Sequence, residues 1–270
     1  MTSVDVSVRT DVGAVRQVNE DSLLAADPVF VVADGMGGHA RGDAASRTAV
    51  ETLAGAFGAG ARPTPDEVIA AIDEANAAVR ALSGADESGV AVAGTTLTGV
   101  LRVREPGADA DSWMVVNVGD SRVYQWDGRV LDQLTVDHSA VQELLDAGLI
   151  TVSEAAVHPE RNVITRALGA EDLVDTDTLI LPIAGHQTFL ICSDGLTKEL
   201  SDDQIARILA EVRGAHAADA LVDAAVEAGG RDNVTVVVIE SLTGGAETAS
   251  ADTRDRDEGS GPAEETRPRG

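Results

Sequence analysis

Five apolar stretches of this chain end or begin at an aspartate, and this feature constrains its fold more than any other. The five are Asp21 in "NED", Asp34 in "VVADG", Asp120 in "VVNVGD", Asp194 in "LICSDG" and Asp232 in "GGRDNVTVVVIE". Each aspartate alone fits a turn, but exposed turns do not require an apolar strand beside the charge five times. Strand ends converge where a sheet stops. We therefore expect a carboxylate cluster at one rim, neutralised by protons or multivalent cations.

The donor atoms indicate which cations fit such a cluster. Carboxylate oxygens without histidine or cysteine favour hard ions, namely magnesium, manganese or calcium. The single cysteine, Cys192, lies in the apolar run "TFLICSDG" and is interpreted as a buried structural thiol. A metal cluster is therefore favoured over five independent turns.

The glycine-rich stretch "VVADGMGGHARGDAAS" does not match a phosphate-binding loop. A Walker loop continues with Gly-Lys-Ser/Thr, whereas Gly42 is followed by an aspartate, and a dinucleotide loop has glycine where this chain has Ala40. We expect Asp34 to ligate a metal, and Gly35, which lacks a side chain, to bring its carbonyl to the same ion. Arg16 is expected to grip a phosphate through its forked donors.

The charge balance excludes one class of partner. A formal net charge of -26 and a single lysine, Lys198, argue against binding to nucleic acid. No apolar run approaches the roughly 20 residues of a membrane-spanning helix, and the N-terminus lacks the pattern of a signal peptide. We expect a cytoplasmic protein with no nucleic-acid or membrane partner.

The spacing of apolar residues predicts the fold class. Strands are expected over 4–13, 29–33, 95–103, 113–118, 122–126, 178–181, 188–192 and 234–240. Helices are expected in two pairs, 43–57 with 65–82 and 202–212 with 217–228. A hairpin at Asp127 and Gly128 indicates antiparallel pairing. These elements predict an α+β fold, a four-layer α/β/β/α sandwich with two central antiparallel sheets flanked by helix pairs.

The composition changes near the C-terminus, from about residue 242. Residues 243–270 include no large apolar residue and are rich in Gly, Thr, Asp and Glu. Such a segment cannot bury enough surface to offset its chain entropy. We expect one domain over 1–241 and an acidic disordered tail over 242–270.

Eight motifs occur in the order expected of the metal-dependent protein serine/threonine phosphatases, the PPM or type 2C family, in its bacterial form. They are "RQVNED", "VVADGMGGHARGDAAS", "AGTTLTGVL", "VNVGDSRVYQWDG", "LTVDHS", "HPERNVITRALG", "LICSDGLTKELSD" and "GGRDNVTVVVIE". The chain resembles this family over about residues 3–240. The resemblance implies hydrolysis of phosphoserine and phosphothreonine by direct attack of a water held between two manganese or magnesium ions.

The resemblance also implies a role for each candidate site residue. Asp34 would bridge both metals, with the Gly35 carbonyl on one of them, and Asp194 and Asp232 would complete the ligand set of the other. Asp120 is similar to the residue that, together with Asp194, binds a third metal ion more weakly.

Three further features are implied around the metals. Asp21 is similar to the acidic residue that holds metal-bound water, and Arg16 to the phosphate-binding arginine. Residues 136–166 resemble a mobile flap beside the site.

The chain differs from the animal members of the family at the position of the general acid. Animal members have a histidine directly after the Asp-Gly pair, whereas here that position is Met36 and the nearest histidine is His39. His39, His158 in the flap and metal-bound water are the alternatives for this role. His138 is interpreted as a structural hydrogen-bonding residue.

The implied partners are phosphorylated serine/threonine proteins and a cognate serine/threonine kinase, and a monomer is expected. Two rival functions remain at this level. One is a catalytically silent relative that acts as a regulatory or binding module. The other is a phosphatase of small phosphoesters.

Overall fold

The computed structural model describes residues 2–36, 40–86, 89–91 and 93–243. Its strands are β1 (Thr2–Asp11), β2 (Asp21–Ala26), β3 (Val29–Met36), β4 (Gly84–Asp86), β5 (Gly89–Ala91), β6 (Gly94–Thr95), β7 (Leu97–Val103), β8 (Ser112–Val118), β9 (Arg122–Trp126), β10 (Leu131–Gln133), β11 (Asp177–Pro182), β12 (His186–Cys192) and β13 (Val234–Thr243). Its α-helices are α1 (Ala40–Ala56), α2 (Pro65–Arg80), α3 (Ala140–Asp146), α4 (Val152–Ala155), α5 (Asp194–Thr197), α6 (Asp202–Glu211) and α7 (Ala217–Ala228).

Two antiparallel sheets form the centre of the molecule. The first has the strand order β1-β13-β12-β9-β10, and the second has the order β11-β8-β7-β3-β2, with β6 paired to β3. Side chains from both sheets meet in one apolar layer, where the Trp113 ring packs edge-on against Phe30 and Phe189 at centroid distances of 6.3 and 5.7 Å. The expected two-sheet core is therefore confirmed.

Helix pairs cover the outer faces of both sheets. Alternate residues of β3 point to opposite sides, so Phe30 and Val32 enter the layer between the sheets while Val29 and Val31 pack in the cluster formed with α1 and α2. Helices α6 and α7 cover the other sheet. The four-layer α/β/β/α sandwich is as predicted, and none of the described helices has the length and apolar character to cross a membrane.

Local signals in the sequence placed several boundaries correctly. Helix α2 begins at Pro65, and Thr64 forms a capping box with Glu67, in which each side chain bonds the other residue's backbone N–H. The hairpin between β9 and β10 turns where expected, because Asp127 Oδ1 accepts the N–H groups of Arg129 and Val130 at 2.7 and 2.6 Å.

Other boundaries differ from the prediction because of pairing between distant segments. Strand β3 does not end at residue 33 but continues through Asp34 to Met36, since Gly35 and Met36 pair with β6. Strand β13 runs to Thr243, because β1 pairs with it along its full length. It therefore extends two residues past the predicted domain end, and residues 244–270 of the predicted tail lie outside the described residues.

Other helix and strand ends also differ from the prediction, and β1 covers Thr2–Asp11 rather than residues 4–13. Helix α1 begins at Ala40 rather than at residue 43, and α2 ends at Arg80 rather than at residue 82. The predicted strand over 95–103 is divided at Thr96 into β6 and β7. The strands β2, β4 and β5 and the helices α3, α4 and α5 were not predicted. The three helices have only 7, 4 and 4 residues, which is too short to show a helical period.

The aromatic contact between the sheets should be a major source of stability. Phe189 is fully buried, and truncation of a buried phenylalanine costs about 3–5 kcal/mol through lost transfer energy and the cavity left behind. We expect Phe189→Ala to lower the free energy of unfolding by this amount in urea titrations. Leu173→Ala, at a side chain that is 82% exposed, should change it by less than about 0.5 kcal/mol. A loss at Phe189 no larger than at Leu173 would contradict the packing.

Candidate active site

The five predicted aspartates come together at one end of the sandwich. Asp21 lies directly opposite Asp34 in the pairing of β2 with β3, so their side chains are cross-strand neighbours. Asp120 follows β8, Asp194 follows β12, and Asp232 precedes β13. The two sheets thus contribute carboxylates to the same rim.

Direct contacts join the parts of the cluster. Ser193, immediately before Asp194, donates its hydroxyl to Asp21 Oδ2 at 2.8 Å. The Lys198 ammonium pairs with Asp194 and lies 3.2 Å from Asp232 Oδ2. The hydrogen bond between Ser193 and Asp21 therefore links the first sheet to the second, and Lys198 joins two aspartates of the first sheet.

Burial and mutual repulsion dominate the electrostatics of the cluster. Burial raises the pKa of Asp21 to about 7, with hydrogen bonds from Thr235 and Ser193 opposing the rise and the charges of other aspartates adding to it. Burial and then the charge of Asp194 raise the pKa of Asp120 to about 7. The pKa of Asp34 lies well above its ordinary value, because protein surrounds its carboxylate and four other aspartates repel its charge. Positive charge brought to these groups would favour their ionised form near neutral pH.

Two cations of the chain already contact the cluster. Arg16 Nη2 lies 2.9 Å from Asp232 Oδ1, and Arg16 Nη1 lies 3.9 Å from Glu20 Oε2. Burial opposes the charge of Lys198, but attraction to Asp194, Asp232 and Asp34 together outweighs burial and raises the lysine pKa. The sequence had not indicated a role for Lys198, and its spacing of four residues from Asp194 on one helical turn was the available signal.

The carboxylates fit a hard divalent ion in their chemistry. The Oδ1 atoms of Asp21, Asp120 and Asp194 are buried and have no hydrogen-bond partner in the described part of the chain. Buried acceptors without a partner are costly, and divalent ions together with their bound water would satisfy them. In residues 2–36, 40–86, 89–91 and 93–243, no three acidic, histidine or cysteine side chains surround one point closely enough to form a finished ligand set.

The Asp34 backbone is held from two sides. Its N–H donates to Thr96 Oγ1 at 2.9 Å, and its carbonyl accepts from Thr95 Oγ1 and from the Thr96 N–H, each at 2.9 Å. Thr96 also exchanges a hydrogen bond with Ser121, next to Asp120, at 2.8 Å. These contacts fix two of the aspartates relative to each other.

The loop that carries Arg16 is held by Asn233, beside Asp232. The Asn233 amide donates to the carbonyls of Val12 and Val18 at 3.0 Å each, and its oxygen accepts the Glu20 N–H at 2.9 Å. Asn233 therefore positions Arg16 and Asp232 together. The sequence had not indicated this role, although Asn233 directly follows a predicted ligand.

The histidine candidates have different outcomes. His39 lies outside the described residues. The ring of His158 accepts the Glu160 N–H at 3.2 Å, a contact local to its own turn. His138 is buried and hydrogen-bonded through its ring to Gly119, which confirms its structural interpretation. Cys192 is also fully buried, and burial raises the pKa of its thiol to about 12, as expected of a structural thiol.

The two-sheet sandwich and the rim of aspartates are the features expected of a metal-dependent phosphatase. The comparisons with known proteins agree with this class. The sequence model of the family "Protein phosphatase 2C" matches residues 14–227. The chain therefore belongs to the protein phosphatase 2C family.

Similar proteins are known from several bacteria. The serine/threonine phosphatase stp of Listeria monocytogenes is 38% identical over 243 residues, which cover 86% of this chain and 94% of that protein. The crystal structure of the PPM Ser-Thr phosphatase MsPP from Mycobacterium smegmatis, in complex with cacodylate, is 41% identical with a TM-score of 0.76 and covers 87% of this chain and 97% of its own. The catalytic domain of the phosphatase PstP, in complex with two manganese ions, is 34% identical with a TM-score of 0.77 and covers 90% and 100%.

Gly35 provides a test of how tightly the rim is packed. A β-carbon at this position would collide with the Gly42 carbonyl oxygen and lie 2.6 Å from the Glu20 carbonyl oxygen. Both are backbone atoms, so we expect Gly35→Ala to lower the free energy of unfolding by at least about 2 kcal/mol. Gly55→Ala in α1, where nothing lies within 4 Å, should instead stabilise the protein by up to about 1 kcal/mol. Thermal and urea unfolding would measure the stability of both variants. A Gly35→Ala protein as stable as the parent would contradict the close packing at Gly35.

Proposed function

We propose that this chain is a metal-dependent protein serine/threonine phosphatase that uses manganese or magnesium. The observation that carries the proposal is the group of five aspartates, buried or partly buried at one rim, with an arginine beside them. Membership of the protein phosphatase 2C family and the phosphatase activity named for its relatives support the same conclusion.

The ligands are assigned from the resemblance to the family. Asp34, the Gly35 carbonyl, Asp194 and Asp232 would hold two ions, and Asp120 with Asp194 would hold a third, weaker one. When bound, the ions supply a hydroxide nucleophile near neutral pH and positive charge for the phosphoryl group. The PstP catalytic domain in complex with two manganese ions supports the choice of metal.

The residues of the chain orient the reactants. Arg16 is 48% exposed at its side chain, so its forked N–H groups can turn from Asp232 to two phosphate oxygens. Asp21 faces Asp34 and is fixed by Ser193, which suits a carboxylate that orients a water by hydrogen bonding. His39 remains a candidate general acid from the sequence alone.

An acidic protein can bind a phosphate in this way because its carboxylates serve as ligands. Charge brought by the ions and by Arg16 reverses the local sign that the aspartates alone would produce. Phosphate-ester hydrolysis then gains from cations arranged before the reaction begins. The silent-relative alternative is not favoured, because all five acidic positions and Arg16 are present in the sequence.

Removing a ligand should abolish this activity. With a phosphothreonine peptide and millimolar Mn²⁺, we expect Asp34→Asn and Asp194→Asn to lower kcat by at least about 100-fold, since even outer partners of a metal ligand are worth about 10- to 100-fold. Asp73→Asn, at an exposed position of α2, is the matched control and should retain full activity. EDTA should remove the activity of the parent, and Mn²⁺ should restore it.

Two results would contradict the assignment. One is unchanged turnover in Asp34→Asn or Asp194→Asn. The other is a parent protein that is inactive at millimolar Mn²⁺ although it is folded. Cleavage of small aryl phosphates without any cleavage of phosphopeptides would favour the small-phosphoester rival.

Arg16 should act mainly through the phosphate. A charge-assisted hydrogen bond is worth about 1.5–3 kcal/mol, so Arg16→Ala should lower kcat/KM by about 10- to 100-fold. Arg16→Lys should recover only part of the loss, because an ammonium cannot bind two oxygens in a fork. Arg9→Ala removes a partly exposed arginine that pairs with Asp223, away from the aspartate cluster, and should have no effect on kinetics. Equal kcat/KM for Arg16→Ala and Arg9→Ala would refute the role.

The partners are proposed from chemistry and relatedness. The substrates are proteins phosphorylated on serine or threonine, and a serine/threonine kinase would supply them. The net charge of -26 supports the absence of a nucleic-acid partner. We further propose a monomer that acts in the cytoplasm.

A further inference from the structure

His138 connects the loop of Asp120 to the base of the flap segment, defined here as residues 136–166. Its ring Nδ1 accepts the Gly119 N–H at 3.0 Å, and its backbone N–H donates to the Gly119 carbonyl at 2.9 Å. One residue therefore holds both hydrogen-bonding groups of Gly119. Asp120, whose Oδ1 is buried without a hydrogen-bond partner in the described part of the chain, comes next.

The backbone conformation of Gly119 and its contacts with Thr96 and His138 restrict its position. Its φ of +112° favours glycine, and a β-carbon there would lie 2.5 Å from the Thr96 Cγ2 atom. Thr96 in turn accepts the Asp34 N–H. The position of Asp120 relative to Asp34 therefore depends on how Gly119 is held between Thr96 and His138.

The other side of the His138 ring faces the far end of the flap segment. Its Nε2 lies 3.2 Å from Asp177 Oδ2 and 3.0 Å from Arg166 Nη1, and Arg166 also bonds Asp177 at 2.7 Å. Because Nδ1 accepts a hydrogen bond, the neutral ring carries its proton on Nε2 and donates it to Asp177. Nδ1 thus contacts Gly119, and Nε2 faces Asp177 and Arg166.

The two ends of the flap segment meet at this residue. The Thr165 N–H donates to the His138 carbonyl at 2.9 Å, and Ser139 forms an isolated bridge with Ile164. Ser139 also caps α3, the first helix of the segment. A shift of the segment at its base must therefore move the His138 backbone.

A second link runs in parallel. Asp137 accepts hydrogen bonds from Arg122 Nε and Nη2 at 2.8 and 2.7 Å, and Asn117 Nδ2 donates to the Val136 carbonyl at 2.9 Å. Residues 117–122 and 136–138 are thus tied on both sides of Asp120. The His138 ring bonds Gly119, the residue before Asp120, through Nδ1, and its Nε2 lies beside Arg166, the last residue of the segment.

We propose that His138 is a positioning residue that holds Asp120 for a divalent ion and couples this ion site to the base of the flap segment. The inference rests on the proposed function, since it assumes that Asp120 is a ligand of the weaker ion. Partners that orient a metal ligand typically change metal affinity by about 10- to 100-fold when they are removed.

Two substitutions separate the two nitrogens of the ring. In His138→Asn the side-chain amide stands near the place of Nδ1 and can accept the Gly119 N–H. In His138→Gln the amide stands near the place of Nε2 and can reach only Asp177. Asp177→Asn leaves the contact between His138 and Gly119 in place and changes only the contact at His138 Nε2, so it is the matched control.

The test is calorimetric titration of the metal-free proteins with MnCl2 alone, with no substrate present. We expect His138→Gln to weaken the lower-affinity Mn²⁺ phase by about 10- to 100-fold and to leave the tighter phase unchanged. His138→Asn and Asp177→Asn should stay within about threefold of the parent, and Asp120→Asn should lose the weaker phase. In phosphopeptide hydrolysis, His138→Gln should raise the Mn²⁺ concentration at half-maximal activity, whereas KM at saturating Mn²⁺ stays within about twofold.

A second measurement uses the unaltered protein, so it does not depend on a variant that folds. Hydrogen exchange of peptides covering 117–122 and 136–146 should slow when Mn²⁺ rises from the concentration that fills the tighter sites to one that fills the weaker site. Absence of this added protection would overturn the coupling.

The failures of the two proposals are distinguishable. Superimposable Mn²⁺ isotherms for the parent and His138→Gln, with the weaker phase lost in Asp120→Asn, would overturn the role of His138 and leave the phosphatase assignment standing. A weaker phase that survives in Asp120→Asn would also overturn it. A parent protein that takes up no Mn²⁺ would overturn the proposed function itself.

Discussion

Mutual repulsion of aspartates at one end of a dry sandwich is the constraint on which the rest of the structure depends. Burial raises the pKa of Asp21, Asp34, Asp120 and Asp194, and each also feels the charge of the others. Such a cluster persists in a folded protein only if the surrounding structure holds it and cations neutralise it. Lys198 and Arg16 supply positive charge from the chain itself, and divalent ions would supply more. Bound divalent ions relieve the repulsion among the aspartates, and this relief contributes to the affinity for those ions.

The apolar layers explain why the aspartates can be held at all. Trp113, Phe30 and Phe189 lock the two sheets face to face, so the loops at the sheet ends are presented from a rigid base. Polar side chains then fix those loops through their backbone groups. Thr96 holds Asp34, Asn233 holds the Arg16 loop, and His138 holds Gly119 beside Asp120. A site that must place oxygen atoms to within about 0.5 Å needs this supporting layer.

Much of the fold could be predicted because its signals are local. The alternation along β1, the apolar runs of β8, β12 and β13, and the helical spacing of α2, α6 and α7 are readable within single segments. The boundaries that were missed depend on partners far away in the chain. Asp34 lies inside β3 because it pairs with Asp21 of β2, and β6 pairs with Gly35 and Met36 beyond it. Strand β13 reaches Thr243 because β1 and β12 lie on either side of it. No window of neighbouring residues contains that information.

The sequence by itself determined which side chains carry the chemistry. The positions of Asp21, Asp34, Asp120, Asp194, Asp232 and Arg16 follow from strand ends and from family motifs that can be read in order. Only the tertiary structure decided which groups support them. These groups are Lys198 between two aspartates, Asn233 under the Arg16 loop, and His138 between Gly119 and Asp177. Their side chains contact other side chains or backbone groups, and most of these contacts join segments far apart in sequence. Sequence patterns record burial and local conformation, whereas such contacts exist only after the sheets have packed and brought distant loops to one rim.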